Sequence, residues 1–185
     1  MFIYTERHLI KEIFKNYNIK TSSSFLSTNE MAVDSFNIFE RKYKKGTVIY
    51  TLNPSLYQYK YCRKNGYDYL YILDFINLLD GNSTDLDYTY EILEDAFKFN
   101  MSLKKIDFLL SYICGSTRKE LEDDFEITEF AVKQRFYRLY KELKIDSMHD
   151  LTRVLIINRI ISAEDIFLKS RGYELKHWLK ILKGV

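Results

Sequence analysis

The stretch that decides the fold is residues 115–144, GSTRKELEDDFEITEFAVKQRFYRLYKELK. A small polar turn runs into an acidic segment, and the acidic segment into a basic and aromatic one. Residues 117–125 have the length of a two-turn helix rich in acid: Glu120, Glu122, Asp123 and Asp124. Thr128 with Glu129 begins the next helix, predicted to run over 128–143. Two helices joined by three or four residues are the minimum of a helix–turn–helix, in which the first helix braces the second and the second enters the DNA major groove.

A groove about 12 Å wide admits one helix, so the second helix must be apolar on one side and carry donors on the other. At about 100° per residue with Val132 at zero, Phe136, Leu139, Tyr140 and Leu143 fall within roughly 80° of it. Lys133, Gln134, Tyr137, Arg138 and Lys141 fall on the far side, between about 100° and 240°. Lys and Arg neutralise phosphates, Arg also reads guanine edges, and Gln pairs bidentately with adenine. The acids of the preceding helix would repel phosphate, so they are expected to face away. That leaves Thr117 and Lys119 at its start, with Thr128, for the DNA backbone. An amphipathic, solvated helix has the same periodicity, so periodicity alone does not establish DNA binding.

The rest of the chain reads as helical. Residues 5–17 place Leu9, Ile10, Ile13 and Phe14 on one face. Ser27 or Thr28 is expected to cap a helix from near Glu30, continuing over 31–43 with Ala32, Phe36 and Phe39 inward. Residues 47–52, TVIYTL, are β-branched and aromatic with period two and predict a short extended segment. Helices are expected over 54–65, over 67–80 and over 88–99, with 81–87, GNSTDLD, as the linker. Ser102 caps a helix whose stripe is Ile106, Leu109, Leu110 and Ile113, stopped by Gly115. Ser147 caps another over 146–161, and one or two helices follow.

Net charge is +2, so any nucleic-acid face is a local patch rather than a basic tail. Cys62 and Cys114 have no C-x-x-C partner, which argues against a disulfide framework or zinc site and suits a reducing cytoplasm. The first 20 residues carry charges throughout, unlike a signal peptide. The longest apolar stretch, 69–79, contains Asp74 and is too short for a bilayer, so no membrane partner is expected. His8, His149 and His177 are scattered, Asp34, Asp68 and Asp74 read as surface or cap residues, and no P-loop or dinucleotide glycine motif occurs. Neither an enzyme nor a cofactor or metal is expected.

Residues 101–161 resemble the LuxR/GerE-type helix–turn–helix domain. RKEL stands at its Lys-Glu-Ile, FEITEFAVK at its Leu-x-Ile-Ser-x-x-Thr-Val-Lys, and DLTRVLI is similar to its fourth helix. The resemblance implies a tetrahelical DNA-binding domain and a homodimer formed through the fourth helix, which here would use Leu151, Val154 and Leu155 with Ile157 and Ile161; packing inside the monomer is the alternative for most of them. Four positions depart from the family pattern. Glu122 stands for a small Ala, Ala131 for Thr, Lys144 for a left-handed Gly, and Lys105 for a Glu that helps to organise the domain.

The expected fold class is therefore mainly α. The domains are a helical N-terminal domain over 1–87, a connecting helix over 88–100, the LuxR-like domain over 101–161 and a basic amphipathic extension over 162–185. A phosphoacceptor receiver domain would open with an apolar strand and an acidic pair, which this sequence does not suggest. The expected function is sequence-specific DNA binding by a cytoplasmic transcription regulator. Two alternatives stand beside it. Residues 31–46 and 56–70 are similar to parts of small sigma factors of the extracytoplasmic-function type, which implies RNA polymerase as partner. The third reading is a helical protein-interaction module without DNA binding.

Overall fold

The computed structural model describes residues 2–5, 7–16, 21–22, 31–38, 42–79, 81 and 88–182. The chain is mainly helical and divides into two compact units. Unit 1 comprises 1–54 and 58–94; unit 2 comprises 55–57 and 95–185. The division falls inside the helix at 88–98. Most of the expected linker lies outside the described residues.

Unit 1 is built on five short parallel strands: β1 (Phe2–Tyr4), β2 (Thr21–Ser22), β3 (Met31–Asp34), β4 (Val48–Thr51) and β5 (Asp68–Tyr71). Their order in the sheet is β2-β1-β3-β4-β5. The helices are α1 (His8–Asn16), α2 (Leu56–Asn65), α3 (Ile72–Leu79) and α4 (Tyr88–Lys98). This is the flavodoxin-like doubly wound order.

The helical N-terminal domain expected from sequence is thus corrected to an α/β unit. The helix expected over 31–43 is instead β3 followed by a 3₁₀ turn at Ser35–Asn37. Ala32 and Val33 are both fully buried, as in a central strand covered on two faces, and such a strand loses the alternation that marks a half-exposed one. The helix expected over 67–80 is divided into β5 and α3. A continuous apolar run reads alike for a buried strand and a buried helix. The extended segment near 47–52 is present as β4, paired in parallel with β3 (Val33↔Ile49) and β5 (Tyr50↔Leu70). The expected cap at Ser27 or Thr28 lies outside the described residues.

On one face of the sheet, Ile3, Ala32 and Tyr50 pack with Phe14 of α1 and Ile72, Phe75 and Ile76 of α3. The Tyr50 ring stacks on Phe75 at 5.1 Å and meets Phe14 edge-on at 5.3 Å. Burial, with the Asp34 charge nearby, pushes the Tyr50 phenol well up, so it stays neutral. From α2, Gln58 accepts a buried 2.8 Å hydrogen bond from Tyr69 Oη of β5.

β1 and β3 are neighbours at the point where the strand order reverses. There the fully buried Asp34 carboxylate accepts from Thr5 Oγ1 (2.8 Å), Arg7 Nε (2.7 Å), Arg7 Nη2 and the Phe36 N–H (3.0 Å). The opening strand that sequence did not suggest is therefore present, but Thr5, not an acid, follows it. Removing one partner of a buried pair leaves an uncompensated charge. Asp34→Ala is expected to destabilise unit 1 by about 3–5 kcal/mol, measured by urea unfolding against the wild type.

Unit 2 contains α5 (Leu103–Ile113), α6 (Arg118–Phe125), α7 (Glu129–Leu143), α8 (Met148–Ile157) and α9 (Ala163–Leu182). The caps are those expected. Ser102 accepts from Lys105 N, Thr128 from Ala131 N and Ser147 from Asp150 N. The C-terminal segment is one helix, and it packs on α5, with Lys169 Nζ 2.7 Å from Asp107.

Two helix ends use a left-handed residue that is not glycine: Glu126 (φ 51°) after α6 and Lys144 (φ 53°) after α7. A side chain there costs about 1–2 kcal/mol, partly offset by the greater chain entropy of glycine. Lys144→Gly should therefore stabilise unit 2 by up to about 1 kcal/mol, raising the thermal midpoint by a few degrees in calorimetry.

Candidate nucleic-acid interface

The turn between α6 and α7 is three residues long, 126–128. The Glu126 and Ile127 N–H groups both donate to Glu122 O, which closes the end of α6. Thr128 then starts α7. The inner face of α7 is held by Val132 and Leu139, which are 0% and 2% exposed, with Phe136, Tyr140 and Leu143 half-buried. Phe136 lies 5.2 Å from Phe108 and 4.3 Å from Tyr112, both on α5. Phe108 also meets Phe125 of α6 edge-on at 5.3 Å. These rings connect the brace and the second helix to α5.

The opposite side of α7 carries the residues singled out from sequence. Lys133, Tyr137, Arg138 and Lys141 are exposed, and Gln134 is half-buried among them. Lys133 is tied back to Glu129 one turn earlier at 2.7 Å. The hydrogen bond from Lys133, and then its charge, hold the Glu129 carboxyl below its usual range. Both partners are more than half exposed, so the pair contributes little to stability. Its effect is to partly neutralise one cation of this face.

Thr117 belongs to the helix rather than to a ligand. Its N–H and its hydroxyl both point to Glu120 Oε2, at 2.8 and 2.9 Å, while Oγ1 accepts from Glu120 N. This capping box occupies the hydroxyl expected for the DNA backbone. Thr128 Oγ1 is likewise an N-cap acceptor, at 3.3 Å from Ala131 N, and is exposed.

Lys119 is exposed at the first turn of α6. Since Leu121 and Phe125 are buried, Asp123 lies on the outward side, four residues after Lys119. The separation of acid from the phosphate side is thus less complete than expected.

Two residues of this surface were missed. Phe130 is 70% exposed, and at about 160° from Val132 it lies in the middle of the outer face. Its spacing from Val132 already places it there in the sequence, among side chains that are otherwise polar. Arg135 stands over the Phe108 ring at 5.3 Å. With Lys104, Lys105, Arg138 and Glu142 it lines a groove of about 330 Å³ between α5 and α7. In the same groove Lys105 lies 3.0 Å from Glu142. This pair joins α5 to α7 across the groove.

The dimer seam expected at Leu151, Val154 and Leu155 is corrected. Leu151 and Leu155 are 0% exposed within the single chain and Val154 is half-buried, because the apolar stripe of α8 turns into the core of unit 2. The exposed apolar residues of α8 are Met148, Ile156 and Ile157. Cys62 is fully buried and Cys114 half-buried, and burial pushes both thiols up, away from reactive thiolates. Among the described residues no group of three His, Cys, Asp or Glu could hold a metal, and no helix is long and apolar enough to cross a membrane. No known protein family, curated protein or solved structure matches the chain. Leu155→Ala should cost about 2–5 kcal/mol in chemical unfolding and leave the sedimentation mass of the folded protein unchanged.

Proposed function

We propose that the protein is a cytoplasmic, sequence-specific DNA-binding regulator of transcription that lays α7 in the major groove. The observation that carries this reading is the two-sided character of α7. Val132 and Leu139 are buried, while Lys133, Tyr137, Arg138 and Lys141 are exposed on the other side around Gln134, directly after a three-residue turn from a capped brace helix. That is the arrangement a helix needs to be held from behind and to read a groove in front. Cations neutralise phosphate, Arg138 has the fork that matches guanine, and Gln134 has the donor–acceptor pair that matches adenine.

Unit 1 is then the regulatory or partner-binding half. The carboxyl ends of β1 and β3 are the position where open α/β sheets take ligands. Both Asp34 oxygens there already have donors from Thr5, Arg7 and Phe36. This argues against Asp34 as a site of phosphorylation and leaves a protein partner as the proposed route of control.

The test is a salt titration of binding to a preferred duplex and to random duplex. Lys119→Ala should weaken both alike and reduce the salt slope by roughly one. Gln134→Ala and Arg138→Ala should each lower affinity for the preferred duplex by about 1–3 kcal/mol and change random-duplex binding little. If Lys133, Gln134 and Arg138 can all become Ala with neither affinity altered, α7 does not lie on DNA.

A further inference from the structure

Phe130 has no place among the polar contacts just proposed, yet it is the most exposed of the large hydrophobic residues described. Single exposed apolar side chains are common, so exposure alone decides nothing. The surroundings decide. Phe130 is the second residue of α7, and the same face carries Lys133, Arg138 and Lys141. A protein partner seated on the ring would have to cover those cations and remove them from water, which is costly unless each is paired. The DNA major groove offers both chemistries together: phosphates along its rims and, among the base edges, one apolar group, the C5-methyl of thymine. The first turn of a groove-reading helix is the part that reaches base edges.

We infer that Phe130 packs its ring against a thymine methyl and makes the chain select an A·T pair at that step. Gln134 lies one turn further along the same face, within reach of a neighbouring adenine. The two side chains together then specify an A·T-containing core, flanked by the phosphate contacts of the cations. This rests on the DNA-binding reading of α7.

The experiment uses the full chain and a duplex enriched from a random-sequence pool by retention on it. Each thymine in turn is replaced by deoxyuridine, which removes only the methyl. The expected result is one position where deoxyuridine weakens the wild type about fourfold, the value of one buried methyl-sized group. Phe130→Ala, a change at an exposed side chain that leaves the core intact, should weaken the thymine duplex to a similar degree and be indifferent to deoxyuridine there. Specific binding that no deoxyuridine affects, or that Phe130→Ala leaves sensitive, overturns the thymine contact while the DNA-binding reading stands. Failure of the pool to yield any retained duplex overturns that reading and this inference with it.

Discussion

The packing of Phe108 against Phe125 and Phe136 is the constraint on which unit 2 depends. Phe108 sits on α5, Phe125 ends the brace helix, and Phe136 lies on the inner side of α7, with ring centroids 5.3 and 5.2 Å from Phe108. A groove-reading helix works only if its angle is set before it meets DNA, since side chains must arrive at base edges with little further ordering. Aromatic rings suit that task because they bury a large area through few rotatable bonds. Arg135 covers the Phe108 ring at 5.3 Å, so even the flank of α7 is tied to this cluster.

The helix ends show how a short turn is held. Thr117 closes α6 with a reciprocal box, Thr128 opens α7, and Glu126 supplies the left-handed residue between them. The side chains that make these caps are also the polar groups nearest the proposed DNA face. Residues that look available for phosphate in a linear sequence are thereby committed to backbone N–H groups. The cations are left as the proposed contacts, and one of them, Lys133, is partly neutralised by Glu129.

Unit 1 has a different dependence. Its strands are two to four residues long, too short to hold a sheet by ladder hydrogen bonds alone, and they run parallel, so each pairing must be closed over a distance. The Asp34 carboxylate gathers donors from Thr5, Arg7 and Phe36 and so ties the end of β1 to the end of β3. The aromatic layer of Phe14, Tyr50 and Phe75 fixes the face beneath. Together they supply by side chains the specificity that longer strands would supply by register.

The sequence by itself determined the elements of unit 2. Ser102, Thr128 and Ser147 cap the helices they were expected to cap, Thr117 caps a helix where a DNA contact was expected, and Val132, Phe136, Leu139, Tyr140 and Leu143 turn inward as their spacing required. Caps act within four residues and helix periodicity within a few turns, so both are written locally. The exposed donors of α7 were legible for the same reason. Phe130 was passed over because only polar side chains were expected to read bases on that face. Only the tertiary structure decided that Leu151 and Leu155 are buried within their own chain, since an apolar stripe looks the same whether it meets a second copy or its own core. Only the tertiary structure, too, made strands of residues 31–34 and 68–71. Parallel pairing joins residues 16 or more positions apart, and a strand buried on both faces keeps no alternation for a local pattern to reveal.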